Sequence, residues 1–77
     1  MNKARRKQLS DIRAKIEELQ DLLEEVRTDE QDAFDNLPES IASSERGQAM
    51  EDAVQNMDDA IGWLEEALGC LEEAAGE

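Results

Sequence analysis

The chain has no histidine and no tyrosine, and only one cysteine, one tryptophan, one phenylalanine and one proline in 77 residues. Each scarcity removes a class of chemistry. Without imidazole there is no histidine base to activate a serine or cysteine nucleophile, and no histidine metal ligand. A single cysteine forms no internal disulfide and cannot supply the thiolates of a zinc or iron–sulfur site. No apolar run approaches the roughly 18 residues of a membrane span, and the basic, polar opening is not followed by an apolar segment. These features predict a soluble, single-domain protein of a reducing cytoplasm that does not act on membranes.

One sign of charge dominates what remains. There are 21 Asp and Glu against 8 Lys and Arg, for a net charge of −13. The cations are concentrated at one end, with Lys3, Arg5, Arg6, Lys7, Arg13 and Lys15 all in the first 15 residues beside a single acid, Asp11. After Arg46 there is no basic residue at all. Such a balance argues against direct binding of nucleic acid.

Two long helical patterns flank the only proline. The first passes through Leu9, Ile12, Ile16, Leu19, Leu23 and Val26 in alternating steps of three and four, an a/d heptad seam. The second is also a repeat: Glu51-Asp52-Ala53-Val54, Asp58-Asp59-Ala60-Ile61, Glu65-Glu66-Ala67-Leu68 and Glu72-Glu73-Ala74-Ala75 recur every seven residues. With Val54 at position a, its seam is Met50, Val54, Met57, Ile61, Leu64, Leu68 and Leu71. Alanine then fills each g position from 53 to 74, and an acid pair fills each e and f. A seven-residue period sustained over this length favours a left-handed crossing.

Between them, Phe34, Leu37 and Ile41 keep helical spacing, while Pro38 should break any continuing helix. Asn36 is placed to cap a short turn, and Ser43 or Ser44 to N-cap the second long helix. The expected organisation is all-α. A helix spans about residues 3–28, an irregular or short-helix connection about 29–44, and a second helix about 45–75, folded as a hairpin. Placing Val26 opposite Met50 would put Leu19 by Met57 or Val54, Ile12 by Leu64, Leu9 by Leu68, and Arg5 and Arg6 near Glu72 and Glu73.

Two helices cannot enclose a core, and the apolar arc of the second helix, with Trp63 and Cys70 at position c, is wider than one neighbour covers. A homodimer forming a four-helix bundle or coiled coil is the simplest solution. Its expected interface combines Leu9, Ile12, Ile16, Leu19 and Leu23 with Val54, Met57, Ile61 and Trp63, and with Leu64, Leu68 and Leu71.

The acid pairs Glu51/Asp52, Asp58/Asp59, Glu65/Glu66 and Glu72/Glu73 are the candidate partner-binding residues. They repeat about every 10.5 Å along a helix. Duplex DNA is also a rod with a dense line of negative charge. An acidic helical rod could therefore occupy the basic groove of a nucleic-acid enzyme. The alternative is that exposed helix positions carry Asp and Glu for solubility, although ordinary surfaces interleave lysine. One-signed charge also costs stability by self-repulsion.

Gly62, Gly69 and Gly76 share one heptad position, where a partner backbone could approach closely. The polar segment Ser43–Gln48 could act as a recognition tip or simply as a cap and turn. The basic N-terminal residues of several protomers could surround an anionic ligand, making the protein a small-ligand sponge. No metal site or cofactor is predicted, since Asp29–Asp35 lacks the glycine and terminal glutamate spacing of a calcium loop. Catalysis is not expected either, because acids on a convex face have no environment to split their pKa values.

The stretch Ala33-Phe-Asp-Asn-Leu-Pro-Glu-Ser-Ile41, followed by Ser44-Glu-Arg-Gly-Gln-Ala-Met50, resembles a signature of small acidic proteins of tailed phages and prophages. The opening Met1-Asn-Lys-Ala-Arg-Arg6 and the acidic heptads fit the same group, so the resemblance covers the whole chain. It carries over no functional residues. What it implies is a phage-encoded accessory protein in a host bacterial cytoplasm, a setting in which small acidic proteins often inhibit host nucleases, restriction systems or immune complexes. The expected function is therefore a non-catalytic inhibitor or modulator of a host nucleic-acid-processing or defence protein, acting through DNA-like acidic faces. The alternative is a structural homo-oligomeric coiled-coil phage protein.

Overall fold

The computed structural model describes residues 1–76, which form three α-helices and no strand. Helix α1 spans Lys3–Asp35, α2 is the single turn Glu39–Ala42, and α3 spans Glu45–Ala75. The two long helices pack against each other as a hairpin, and α2 rests on α3. The Cα atoms fill a rod of 58 × 15 × 11 Å. That is about the length of one long helix plus the connection and the width of two helices.

Local chemistry sets the ends of these helices. Asn2 caps α1 by accepting the Arg5 N–H on Oδ1 at 2.8 Å, which satisfies one of the orphan donors of the first turn. Helix α1 runs past the expected end near residue 28, because nothing between Thr28 and Asp35 breaks it and Phe34 and Leu37 continue its apolar side. It stops at Asn36, whose backbone N–H and side-chain Nδ2 both donate to the Asp32 carbonyl, at 3.1 and 2.9 Å. Pro38 then disfavours the helical conformation for Leu37 and cannot donate to a preceding turn.

Ser44 is the N-cap residue of α3, as expected for this position, but its hydroxyl makes no capping bond. It turns back to donate to the Ile41 carbonyl, as Ser43 Oγ does to that of Glu39. The two serines thus close α2 rather than open α3. No residue in the chain's described part has positive φ, so the reversal depends on close approach and not on left-handed backbone. Gly47 provides that approach. It is buried, and a Cβ built there would lie inside 3.0 Å of the oxygen, carbon and Cα of Ala42.

On α3 the expected seam is the one that packs. Val54 is buried, and Met50, Met57, Ile61, Leu64, Leu68 and Leu71 are half-buried, with Ala53, Ala60 and Ala67 half-buried beside them. On α1 the expected seam divides. Leu9, Ile16 and Leu23 are half-buried, whereas Ile12, Leu19 and Val26 remain 45%, 58% and 56% exposed. The positions alternating with Leu9, Ile16 and Leu23 along the hairpin contact are instead Arg13, Gln20 and Arg27, all half-buried.

Three cross-links fix the pairing. Arg13 Nη2 lies 3.8 Å from Glu72 Oε2, Gln20 Nε2 donates to Glu65 Oε1 at 3.2 Å, and Arg27 holds Asp58 in a two-pronged bond at 2.8 and 3.2 Å. Each step of seven residues along α1 is matched by seven in the opposite direction along α3. This register differs from the expected one. Arg27, not Val26, leads the pairing, and its counterpart is Asp58 near the middle of α3, not Met50 at its start. Electrostatics explains the rotation and the shift together. The e-position acids of α3 lie beside its seam, and only the Arg13–Gln20–Arg27 stripe of α1 offers them donors. The longer α1 moves the reversal toward Pro38 and carries the whole register with it.

The hairpin has little interior. Val54 is the only hydrophobic side chain buried in the described residues, and no polar one is buried.

Candidate interaction surfaces

The cross-links divide the hairpin lengthwise into two unlike flanks. In an antiparallel pair the e positions of both helices share one flank and the g positions share the other. The flank with Asp58, Glu65 and Glu72 is polar. The bidentate bond from Asp58 raises Arg27 further above the ordinary arginine range, assisted by the charges of Asp58 and Asp35 and opposed by partial desolvation. Arg27 therefore stays charged at any working pH. Arg13 reaches Glu72 at a longer distance, and its Nε is buried with no hydrogen-bond partner among the described residues.

All eight candidate acids are exposed, yet they do not form one uniform ladder. Asp58, Glu65 and Glu72 turn toward α1 and are engaged there. Asp52, Asp59, Glu66 and Glu73 form the f row on the side of α3 away from α1. Within that row, Asp52 and Asp59 each accept from a glutamine one turn earlier, Gln48 and Gln55, at 3.0 Å. Next to it, Gly62 leaves a shallow open depression lined by Asp58, Asp59, Trp63 and Glu66. A Cβ at Gly62 or Gly69 would meet nothing within 4 Å, so these glycines create relief on an open surface. A second acidic depression on α1 is lined by Asp21, Glu24, Glu25, Thr28 and Asp29. No group of three or more acidic or thiol side chains among the described residues is arranged to hold a metal ion, and no helix is long and apolar enough to cross a membrane.

The opposite flank is apolar. Ile12, Leu19 and Val26 line it on α1 with Leu22, which is 53% exposed. On α3 it has the small Ala53, Ala60 and Ala67, then Trp63, which is 68% exposed, and the free thiol of Cys70. By the register of the cross-links, Leu22 and Trp63 lie at the same level. The interface residues expected from sequence therefore fall in two groups. Leu9, Ile16, Leu23, Val54, Met57, Ile61, Leu64, Leu68 and Leu71 form the seam inside the hairpin, while Ile12, Leu19 and Trp63 stand outside it.

Leu22, Gln20 and Arg27 lie at these surfaces and are not singled out by the hydrophobic pattern. The signal for the last two was present. Arg13, Gln20 and Arg27 share the seven-residue period of Asp58, Glu65 and Glu72, and complementary polar residues at one period on two helices mark a pairing register. At the N-terminus, Lys7 pairs with Asp11 one turn on at 3.4 Å, so that cation is not held solely for an external ligand. Comparison with protein-family models, with curated proteins and with solved structures finds no match.

Proposed function

We propose that this chain is a non-catalytic binding protein that dimerises through its apolar side and presents acidic outer faces to a partner with a basic groove. A host nucleic-acid-processing or defence protein, inhibited or modulated in the bacterial cytoplasm by a phage-type accessory protein, is the partner that best fits the charge and the shape. The observation that carries this reading is the outer row Asp52, Asp59, Glu66 and Glu73. It repeats at the helical heptad rise of about 10.5 Å, on a helix with no basic residue after Arg46. A rod with regularly spaced, unneutralised charge attracts a surface shaped for a nucleic-acid backbone. A surface kept acidic only for solubility would be expected to mix both signs.

The test is capture from a bacterial lysate by the tagged protein, with and without excess duplex DNA. A bound nuclease or defence subunit released by DNA and by raised salt supports the reading. Capture that persists in both conditions refutes it in favour of the second reading, a structural homo-oligomer docking through apolar contacts. The exposure of Trp63 and Leu22 is what favours that alternative. Anion binding by Arg5 and Arg6 is a third reading, and charge reversal at both residues would abolish it without changing the acidic row.

A further inference from the structure

We infer that the depression beside Gly62 is the seat of an arginine side chain of the partner, its guanidinium laid on the indole of Trp63 between the carboxylates of Asp59 and Glu66. This deepens the acidic-face reading and rests on it. The depression is lined by Asp58, Asp59, Gly62, Trp63 and Glu66. Its space is open, since a Cβ at Gly62 would meet nothing within 4 Å. Trp63 is the most exposed large hydrophobic side chain of the described residues, at 68%. Asp59 precedes it by four residues and Glu66 follows it by three, so a carboxylate stands one turn to either side of the indole.

The carboxylates differ in what they already hold. Asp58 is engaged by Arg27 through both oxygens, at 2.8 and 3.2 Å. Asp59 accepts from Gln55 on Oδ1 alone, which leaves its second oxygen open. No hydrogen bond or ion pair engages Glu66 among the described residues. Helix α3 has no cation after Arg46, so nothing on the helix itself neutralises Asp59 and Glu66.

These features select the guest. An aliphatic side chain would cover the indole but strip water from two unpaired carboxylates, a cost that nothing offsets. An anion is repelled. An ammonium is drawn to the carboxylates, but it is compact and strongly hydrated and covers little of the ring. A guanidinium is planar and weakly hydrated, stacks flat on an aromatic face, and has donors along its edge for carboxylates on both sides. Arginine therefore matches the aromatic floor and the charged rim together. It is also a residue that grooves for nucleic-acid phosphates are rich in.

Trp63 is the only tryptophan, so its emission reports the seat directly. The probes are labelled oligoarginine and oligolysine peptides of equal length, bound to the full chain at one ionic strength and followed by anisotropy and by Trp63 emission. The arginine peptide should shift the emission and bind roughly threefold more tightly than the lysine peptide, the scale of one exposed cation–π contact. Trp63→Leu should erase that preference and keep the salt-dependent remainder. Asp59→Asn with Glu66→Gln should lower arginine binding more than the charge-matched Glu24→Gln with Glu25→Gln. Far-UV circular dichroism verifies that each variant stays helical. Equal affinity for the two peptides, or a preference that survives Trp63→Leu, overturns the proposal. Emission that shifts on raising the protein concentration alone, and not after Arg5→Gln with Arg6→Gln, gives the seat to a second copy and overturns it as well. DNA-releasable capture from lysate that is undiminished in Trp63→Leu overturns the seat and leaves the acidic-face reading standing. An arginine preference lost with Trp63, in a chain that captures nothing from lysate, supports the seat and removes that reading.

Discussion

Replacing glycine by alanine at three positions of one helix should change stability with opposite signs. In a helix interior the exchange is worth up to about 1 kcal/mol in favour of alanine, through the lower backbone entropy of the unfolded chain. At Gly62 and Gly69 a Cβ meets nothing within 4 Å, so nothing offsets that gain. At Gly47 the new methyl falls on the Ala42 backbone, with its oxygen, carbon and Cα all inside 3.0 Å. A side chain could rotate aside, but a carbonyl at the closed end of α2 cannot. The two elements must separate, and overpacking of this kind costs about 1–3 kcal/mol. After the propensity gain, Gly47→Ala should lose about 1–2 kcal/mol. One kcal/mol corresponds to roughly 4–8 °C in a domain of this size. Gly47→Ala should therefore melt several degrees below wild type, and Gly62→Ala and Gly69→Ala a few degrees above it. The assay is thermal and urea unfolding followed by circular dichroism at one fixed protein concentration, because any self-association makes apparent stability depend on concentration. A stabilised Gly47→Ala would refute the close approach of α2 to α3. A destabilised Gly62→Ala would restore the idea that a partner backbone needs that glycine.

Other consequences can be checked in the same assays. Val54→Ala removes two methyl groups from the only hydrophobic side chain buried among the described residues and should cost about 1–2 kcal/mol in urea unfolding. Arg27→Met should lower the melting temperature at low salt and less at 1 M salt, because the pair with Asp58 is partly open to solvent; an equal loss at both salts would indicate packing instead. Asn2→Ala should cost about 1 kcal/mol or less at a fraying end, read as faster amide exchange in the first turn of α1 and not as global unfolding.

How much of this was legible in the sequence differs between the two helices. The α3 seam follows directly from its heptads, because alanine at g and paired acids at e and f leave a single apolar line from Met50 to Leu71. Helix α1 offers two lines that share Leu9, Ile16 and Leu23. Hydrophobicity alone selects the one with Ile12, Leu19 and Val26. The hairpin uses the one with Arg13, Gln20 and Arg27, because the acids beside the α3 seam need donors. That choice depends on the other helix and is invisible in α1 taken by itself. The end of α1 lies beyond the expected residue 28 for a related reason. Residues 29–35 are polar enough to resemble a connection, yet they hold no breaker, and the helix continues to the first real obstacle at Asn36 and Pro38. The acid ladder was legible as a repeat, but its division into an inner row turned toward α1 and an outer row facing solvent required the register. Gly47 stood in a segment with two readings, tip or turn, and its role emerged only from the position of Ala42.

The outer row can be removed without disturbing the hairpin. Changing Asp52, Asp59, Glu66 and Glu73 to their amides leaves Asp58, Glu65 and Glu72 to hold α1, and a helical spectrum confirms that the fold persists. Partner capture from lysate by this variant, set beside wild type with and without duplex DNA, is the most direct measurement. Wild type should capture a protein that DNA releases, and the amide variant should lose at least about tenfold of that capture. Equal capture by both proteins, indifferent to DNA, would contradict it.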